Sequence, residues 1–318
     1  MITIWLTIVF CVTPAAGQAP ANGPSDECPY TRTVDVIYGR KYGTALTMDV
    51  FTPTNTPNGA AVIWAVSGGW ISAHEGISPK AYATLLRHGY TVFAVVHGSQ
   101  PKYTIPEVLQ DMNRAVRFIR MNSQRFHIDP NRIGIAGGSA GGHLSLMIGL
   151  APQDGKPDHK DPVMREPSRV QAVACFFPPT DFLNYGKPGR DTDQALREEL
   201  KPFSAPFDFQ RLDKDKKMFV PITNQARRLE IFRQISPVTH VSSDDPPTLI
   251  IHGDADKLVP IQQSQLLMDK LKAAGVTAEL IIKNGAKHGW PGLHKDIEIF
   301  ADWFDTHLRK TPTTSRPH

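Results

Sequence analysis

In Gly137-Gly138-Ser139-Ala140-Gly141 a single hydroxyl is flanked only by glycine and alanine. The pattern is G-x-S-x-G, and it lies between an apolar strand-like segment, 132–136, and a helix-forming run that begins at about Ala140. A serine between a strand and a helix occupies a tight, strained turn that presents its Oγ at the end of a sheet as a nucleophile. Residues two positions to either side must then be small, because the strand reverses into the helix there. The helix start also offers free backbone N–H groups to a developing oxyanion. The glycines do not register as the dinucleotide-binding G-x-G-x-x-G, and no acidic residue suits the end of a following strand. A glycine-rich turn without chemistry is the other explanation of the pentapeptide, so its partners decide.

A serine hydroxyl needs a base to take its proton, and the base needs an acid to orient it. For a serine on such a turn the chain order is serine, carboxylate, histidine. "LIIHGDADKLVP" (249–260) places Asp256 in the loop beyond a strand end, with Asp254 as the alternative acid. Both carboxylates are also positioned to cap the helix near Pro260. "NGAKHGW" (284–290) places His288 in a glycine-flanked loop between the last strand and the last helix. "VSGGWIS" (66–72) follows a continuous apolar run, and its glycines let backbone approach a substrate closely. The N–H groups of Gly69, Trp70 and Ala140 are the expected oxyanion donors, with Gly68 as a substitute; an ordinary turn is the other explanation of this loop.

These residues need a frame. Segments 33–39 and 45–53 alternate apolar and polar around Gly43, as two half-buried strands do. Runs 60–66 and 90–96 are apolar throughout and suit strands buried on both faces. Helical spacing marks 78–89, 105–126, 140–150, 262–275 and 294–308, and further strands are expected at 170–177, 246–254 and 277–283. Strands alternating with helices imply an α/β fold, a mostly parallel sheet with helices on both faces, preceded by an antiparallel pair. Residues 178–245 break the rhythm and read as an insertion between two core strands.

The chain has 318 residues, of which 41% are hydrophobic and 21% charged, an ordinary globular balance. Its formal charge of +4 is dispersed, with no basic run that would suggest a nucleic-acid partner. The apolar run 2–12, Pro14 and the small residues after it have the form of a signal peptide over 1–19, with a retained membrane anchor as the alternative. The run is too short to span a bilayer core of about 30 Å, so the expected product is secreted or periplasmic and has no stable membrane insertion. A flexible leader (20–32), one domain (33–310) and a frayed tail (311–318) follow. Cys28 and Cys175 remain after cleavage; their pairing is not readable, and Cys175, in an apolar run, is expected as a buried free thiol. No CxxC or tight His/Cys cluster suggests zinc, and no cofactor is expected.

Over 33–310 the chain resembles the α/β-hydrolase superfamily. "SGGW", "GGSAGGHLS", "HGDADKLVP" and "KHGW" are similar to the hormone-sensitive-lipase-like and BD-FAE-like esterases. The resemblance implies hydrolysis of carboxylic esters through an acyl-enzyme on Ser139, with small, acetyl or aryl esters such as plant-polysaccharide acetyl or feruloyl groups as substrates. Two departures stand out. Ser67 occupies the place of the histidine in the usual HGGG or HGGxW, with one glycine fewer, and "HGSQP" (97–101) replaces Y-R-L-x-P, which makes His97 either a pocket residue or a structural one. The 178–245 insertion falls where such enzymes carry a cap. Its Phe182, Tyr185, Phe203, Phe207, Phe209 and Phe219 are expected to line an acyl or aryl pocket or to anchor the cap. A prolyl-oligopeptidase-like peptidase shares the residue order but usually carries a propeller domain, for which this chain has no room. A non-catalytic binding protein on the same scaffold is the third reading, and the complete set of reactive residues argues against it.

Overall fold

A computed structural model describes residues 29–198 and 200–309. The expected signal peptide, Cys28 and the 311–318 tail lie outside the described residues.

Strands β1 (Tyr30–Lys41) and β2 (Thr44–Pro53) form the expected antiparallel pair. β1 begins at Tyr30, ahead of the expected 33, because Tyr30 is buried and packs its ring 5.6 Å from that of Phe51. There follow β3 (Ala61–Val66), α1 (Pro79–Arg87), β4 (Thr91–Val96), α2 (Ile105–Met121), β5 (Ile133–Gly138), α3 (Ala140–Leu150) and β6 (Ala172–Phe176). The insertion contributes α4 (Thr192–Glu198), a hairpin of β7 (Gln210–Asp213) and β8 (Met218–Pro221), and α5 (Gln225–Gln234). The chain then returns through β9 (Thr248–Gly253), α6 (Gln262–Ala273), β10 (Ala278–Lys283) and α7 (Ile297–Leu308).

The main sheet has eight strands in the order β1-β2-β4-β3-β5-β6-β9-β10. β2 runs antiparallel to β1 and to β4, and the remaining neighbours are parallel. Parallel strands covered by helices on both faces read as unbroken apolar runs, and β3, β4, β6 and β9 do. One core packs α2, α3 and α6 against the sheet, and the other packs α1 and α7 against its opposite face. α3 is buried along its whole length, which makes it a fixed support for whatever precedes it.

Two expectations need correction. α2 starts where predicted, with a capping box between Thr104 and Glu107, but ends at Met121 rather than 126. Asn122 folds back, its Nδ2 donating to the Phe118 carbonyl at 2.8 Å, a local bond that competes with the helix ladder. The insertion is also not irregular throughout. Its elements are short, seven residues in α4 and four in each hairpin strand, and the hairpin is largely exposed, so no apolar period builds up in its sequence. Cys175 is a free, buried thiol in β6, as expected. Among the described residues no helix is long and apolar enough to cross a membrane.

α7 packs against β5, the strand that leads to Ser139. A Cβ at Gly134 of β5 would lie 2.7 Å from the Phe304 ring, so ring and strand backbone are in direct contact. Phe304→Ala removes a wholly buried ring, and a loss of about 3–5 kcal/mol is expected, read as a lower urea midpoint.

Candidate active site

β5 ends at Gly138, and Ser139 turns the chain at φ 54° and ψ −120° before α3 begins. A Cβ on Gly137 would meet the Gly141 carbonyl carbon at 2.6 Å, and one on Gly141 would meet the Ala65 carbonyl oxygen at 2.6 Å. The small residues around the serine are therefore demanded by backbone-to-backbone contact.

Ser139, His288 and Asp256 come together in the structure. Ser139 Oγ lies 2.9 Å from His288 Nε2, and His288 Nδ1 lies 2.7 Å from Asp256 Oδ2. A carboxylate only accepts, so Nδ1 carries the hydrogen and Nε2 offers its lone pair to the serine O–H. The Phe177 ring packs 4.4 Å from the imidazole and limits its movement. Asp256 is buried just beyond β9, and its Oδ1 accepts the N–H groups of Leu258 at 2.9 Å and Val259 at 3.0 Å. Burial alone would raise this carboxyl. Hydrogen bonds from His252, His288 and the Val259 N–H, with the attraction of His288, outweigh it and hold the group below the usual carboxylate range. The alternative acid, Asp254, is exposed and accepts the Gly285 N–H at 2.6 Å, so it braces the loop that carries His288 instead of touching the histidine.

The 66–72 loop is a tight turn. Gly68 and Ile71 exchange N–H···O bonds of 3.0 and 2.9 Å, and the central residues Gly69 (φ 55°) and Trp70 (φ 60°) are both left-handed. The Gly68 N–H is thereby used, which removes it as a substitute donor. Those of Gly69 and Trp70 have no acceptor among the described residues, and that of Ala140 stands at the start of α3, before the intrahelical ladder. Trp70 holds a conformation unfavourable for a bulky residue because it is gripped from several sides. Its Nε1–H donates to His143 Nδ1 at 3.2 Å, its carbonyl accepts the Gln100 N–H at 3.2 Å, and its ring packs against Phe182 and Phe207.

Sequence reasoning missed two histidines. His143, four residues after Ser139, is wholly buried and donates from Nε2 to the Ile235 carbonyl at 2.7 Å; burial pushes its pKa down to about 4, so it stays neutral. His252 donates from Nε2 to the Val259 carbonyl at 2.9 Å, accepts the Ser264 O–H at Nδ1, and brings Nε2 to 3.4 Å from Asp256 Oδ2. The only signal for either was a polar residue inside an apolar run. His97, left open as pocket or structural, is buried and bonded to Gly98 and Ser67.

Two cavities meet at Ser139. One, of ≈ 30 Å³, is walled by Trp70, Phe182, Tyr185, Phe203 and Phe207. The other is an open cleft of ≈ 860 Å³ that includes Ser67, Ile71, Phe177 and His288. Two of the cap aromatics named from sequence line neither: Phe209 is buried against Phe232, and Phe219 is exposed on the hairpin, where no core reaches it. Among the described residues, Asp35, Asp49 and His74, and separately His88, Glu298 and Asp302, bring possible metal ligands within 4.8 Å of one another. Neither group includes a residue of this site, and Asp49 is already paired with Arg32 at 2.5 Å.

Residues 48–271 match the BD-FAE family, a span that contains Ser139 and Asp256. The chain belongs to this family. It is 29% identical over 279 residues to the probable carboxylic ester hydrolase LipM of Mycobacterium tuberculosis, a match covering 82% of this chain and 59% of LipM. It is 24% identical over 257 residues to the isoprenylcysteine alpha-carbonyl methylesterase ICME of Arabidopsis thaliana, covering 80% of this chain and 55% of that one. The chain thus spans less than two thirds of the length of either relative. Among solved structures, a truncated carbohydrate esterase from gut microbiota superposes with a TM-score of 0.69 at 27% identity, covering 89% of this chain and 99% of that one. The fold is that of the α/β-hydrolases, as the element order predicts.

The depressed Asp256 carboxyl ties stability to pH. Its folded pKa lies below the unfolded value of about 3.9, so its contribution is present above about pH 4 and lost as pH falls toward the folded pKa. Asp256→Asn should therefore melt below wild type at neutral pH, and the gap should narrow as the pH drops under about 4, measured as paired melting temperatures.

Proposed function

We propose that the protein is a serine carboxylic-ester hydrolase that moves a short acyl group, acetyl above all, from a bulky alcohol to Ser139 and then to water. Ser139 Oγ attacks the ester carbonyl as His288 Nε2 takes its proton, and Asp256 stabilises the imidazolium that forms. The N–H groups of Gly69, Trp70 and Ala140 receive the oxyanion, an arrangement in which each donor is typically worth about 10²–10³-fold in rate. His288 then protonates the leaving alcohol and activates the water that releases the acid.

The observation that carries the substrate reading is the difference between the two cavities. The leaving alcohol must lie beside the group that protonates it, so the open cleft, which includes His288, takes the alcohol. The acyl group then enters the ≈ 30 Å³ cavity on the other side. A buried water needs about 10–15 Å³ of such space, so this cavity suits a methyl group and excludes an aryl ring. That favours acetyl over feruloyl among the plant-polysaccharide esters that the resemblance implies. The likeness to a carbohydrate esterase supports the same choice, and the apolar run at 2–12 supports action outside the cytoplasm, in a secreted or periplasmic setting.

Ser139→Ala should lower 4-nitrophenyl acetate hydrolysis by on the order of 10⁴-fold or more and abolish labelling by a fluorophosphonate. In the wild type, kcat/KM should fall steadily from acetate to octanoate esters, with methyl ferulate a poor substrate. Retained activity in Ser139→Ala, or a rise toward octanoate, would refute the reading. Phe203 walls both cavities and lies against Gly69, where a Cβ would meet its ring at 2.9 Å. Phe203→Ala should raise the hexanoate-to-acetate ratio about tenfold, the scale of one or two methylenes in a pocket.

A further inference from the structure

Ser67 and His97 take no part in the reaction described above, yet Ser67 lines the cleft assigned to the alcohol. His97 follows β4, and its Nδ1 lies 2.8 Å from the Gly98 carbonyl oxygen. A carbonyl cannot donate, so Nδ1 carries the hydrogen. Burial, with a smaller contribution from the Lys41 charge, pushes the ring's pKa down to about 4 despite the Gly98 bond, and the ring is neutral at neutral pH. Nε2 therefore has only a lone pair, and it lies 2.8 Å from Ser67 Oγ. The single hydrogen of the Ser67 hydroxyl is committed inward to His97. Most serine hydroxyls rotate to donate or accept as a ligand requires; this one has only lone pairs left to offer a ligand. Among the described residues no donor reaches its oxygen. Its carbonyl oxygen lies 3.3 Å from where a Cβ at Gly141 would stand, which places it against the first turn of α3, beside the nucleophile. Apart from Ser67, Glu75, Ser139 and His288, the cleft is lined by backbone and apolar groups such as Ile71, Phe177 and Leu258, so few side chains there can accept a hydrogen bond.

We propose that Ser67 Oγ accepts a hydrogen bond from a free hydroxyl adjacent to the ester on the alcohol half of the substrate. The protein is then selective for partially acylated polyols, such as sugar rings, over esters of simple alcohols. This rests on the esterase reading, which assigns the cleft beside His288 to the alcohol.

The test compares kcat/KM for trans-2-hydroxycyclohexyl acetate and cyclohexyl acetate. Wild type should favour the hydroxyl-bearing ester about fivefold, the scale of one neutral hydrogen bond. Ser67→Ala should bring the ratio close to one, and Ser67→Thr, which keeps the hydroxyl, should preserve it. A wild-type ratio at or below one overturns the proposal. So does a Ser67→Ala variant that keeps the preference or loses both activities in equal proportion, since the hydroxyl then only braces the loop. If wild type hydrolyses neither ester nor 4-nitrophenyl acetate, the esterase reading itself fails and takes this inference with it.

Discussion

The left-handed backbone of Ser139 is the constraint on which the rest of the site depends. An L-residue at φ 54° and ψ −120° lies in a sparsely populated region, at a cost on the order of 1–3 kcal/mol. It persists because its surroundings leave no alternative. The Ser139 N–H donates to the Phe176 carbonyl at 3.0 Å, the His143 N–H donates to the Ser139 carbonyl at 2.9 Å, and α3 behind it is buried throughout. Neighbouring backbone must come close for this, which is why Gly137 and Gly141 carry no side chain. The parallel register does the rest. β3 and β6 flank β5, and β9 lies beyond β6, so the loops carrying Gly69, Phe177 and Asp256 all emerge at the same edge as Ser139.

Histidines brace that edge, and their partners separate them by role. His97, His143 and His252 are buried, and each donates from one ring nitrogen to a backbone carbonyl and accepts a side-chain hydrogen at the other. They serve Ser67, Trp70 and the Asp256 loop in turn. A carbonyl fixes a tautomer but gives little support to an imidazolium, and burial holds His97 and His143 neutral; His252 instead ties the Val259 carbonyl to Asp256. His288 is part-exposed and faces a carboxylate, which does support the positive charge. What sets His288 apart is its second nitrogen: Nε2 faces Ser139 Oγ, whereas the second nitrogen of each buried ring is taken by Ser67, Trp70 or Ser264.

The sheet, its helices and the residues that meet at Ser139 were legible because each left a local mark: apolar runs ended by Gly or Asp, a G-x-S-x-G between strand and helix, and the order serine, aspartate, histidine. The choice of Asp256 over Asp254 followed from its place beyond the strand end. The bracing histidines were not legible, because an isolated polar residue in an apolar run gives no sign of which distant carbonyl it meets. Ile235, for example, lies 92 positions from the His143 it binds. The cap was obscure for a different reason. α4 and the hairpin are too short to set up a period and α5 buries only Ile231 and Phe232, and composition alone could not separate Phe207, which walls the cavity, from Phe219, which projects from the hairpin.

The cap also accounts for why the two sides of Ser139 differ. Phe182, Tyr185 and Phe207 wall the small cavity and belong to the same continuous core as α2, α3 and α6, joined by Phe232 and Ile235 of the cap. Close-packed cores resist changes of even one methylene, so this wall cannot recede without dismantling the contacts that hold the cap. The opposite side is formed by the end of β3 and by loop residues around Gly68, Ile71 and Gly76, and it is open to solvent, with Ile71 exposed. On the proposed reading, packing restricts the acyl group by volume, and selection on the open side comes from directed polar contacts, among them the hydroxyl that the buried His97 orients.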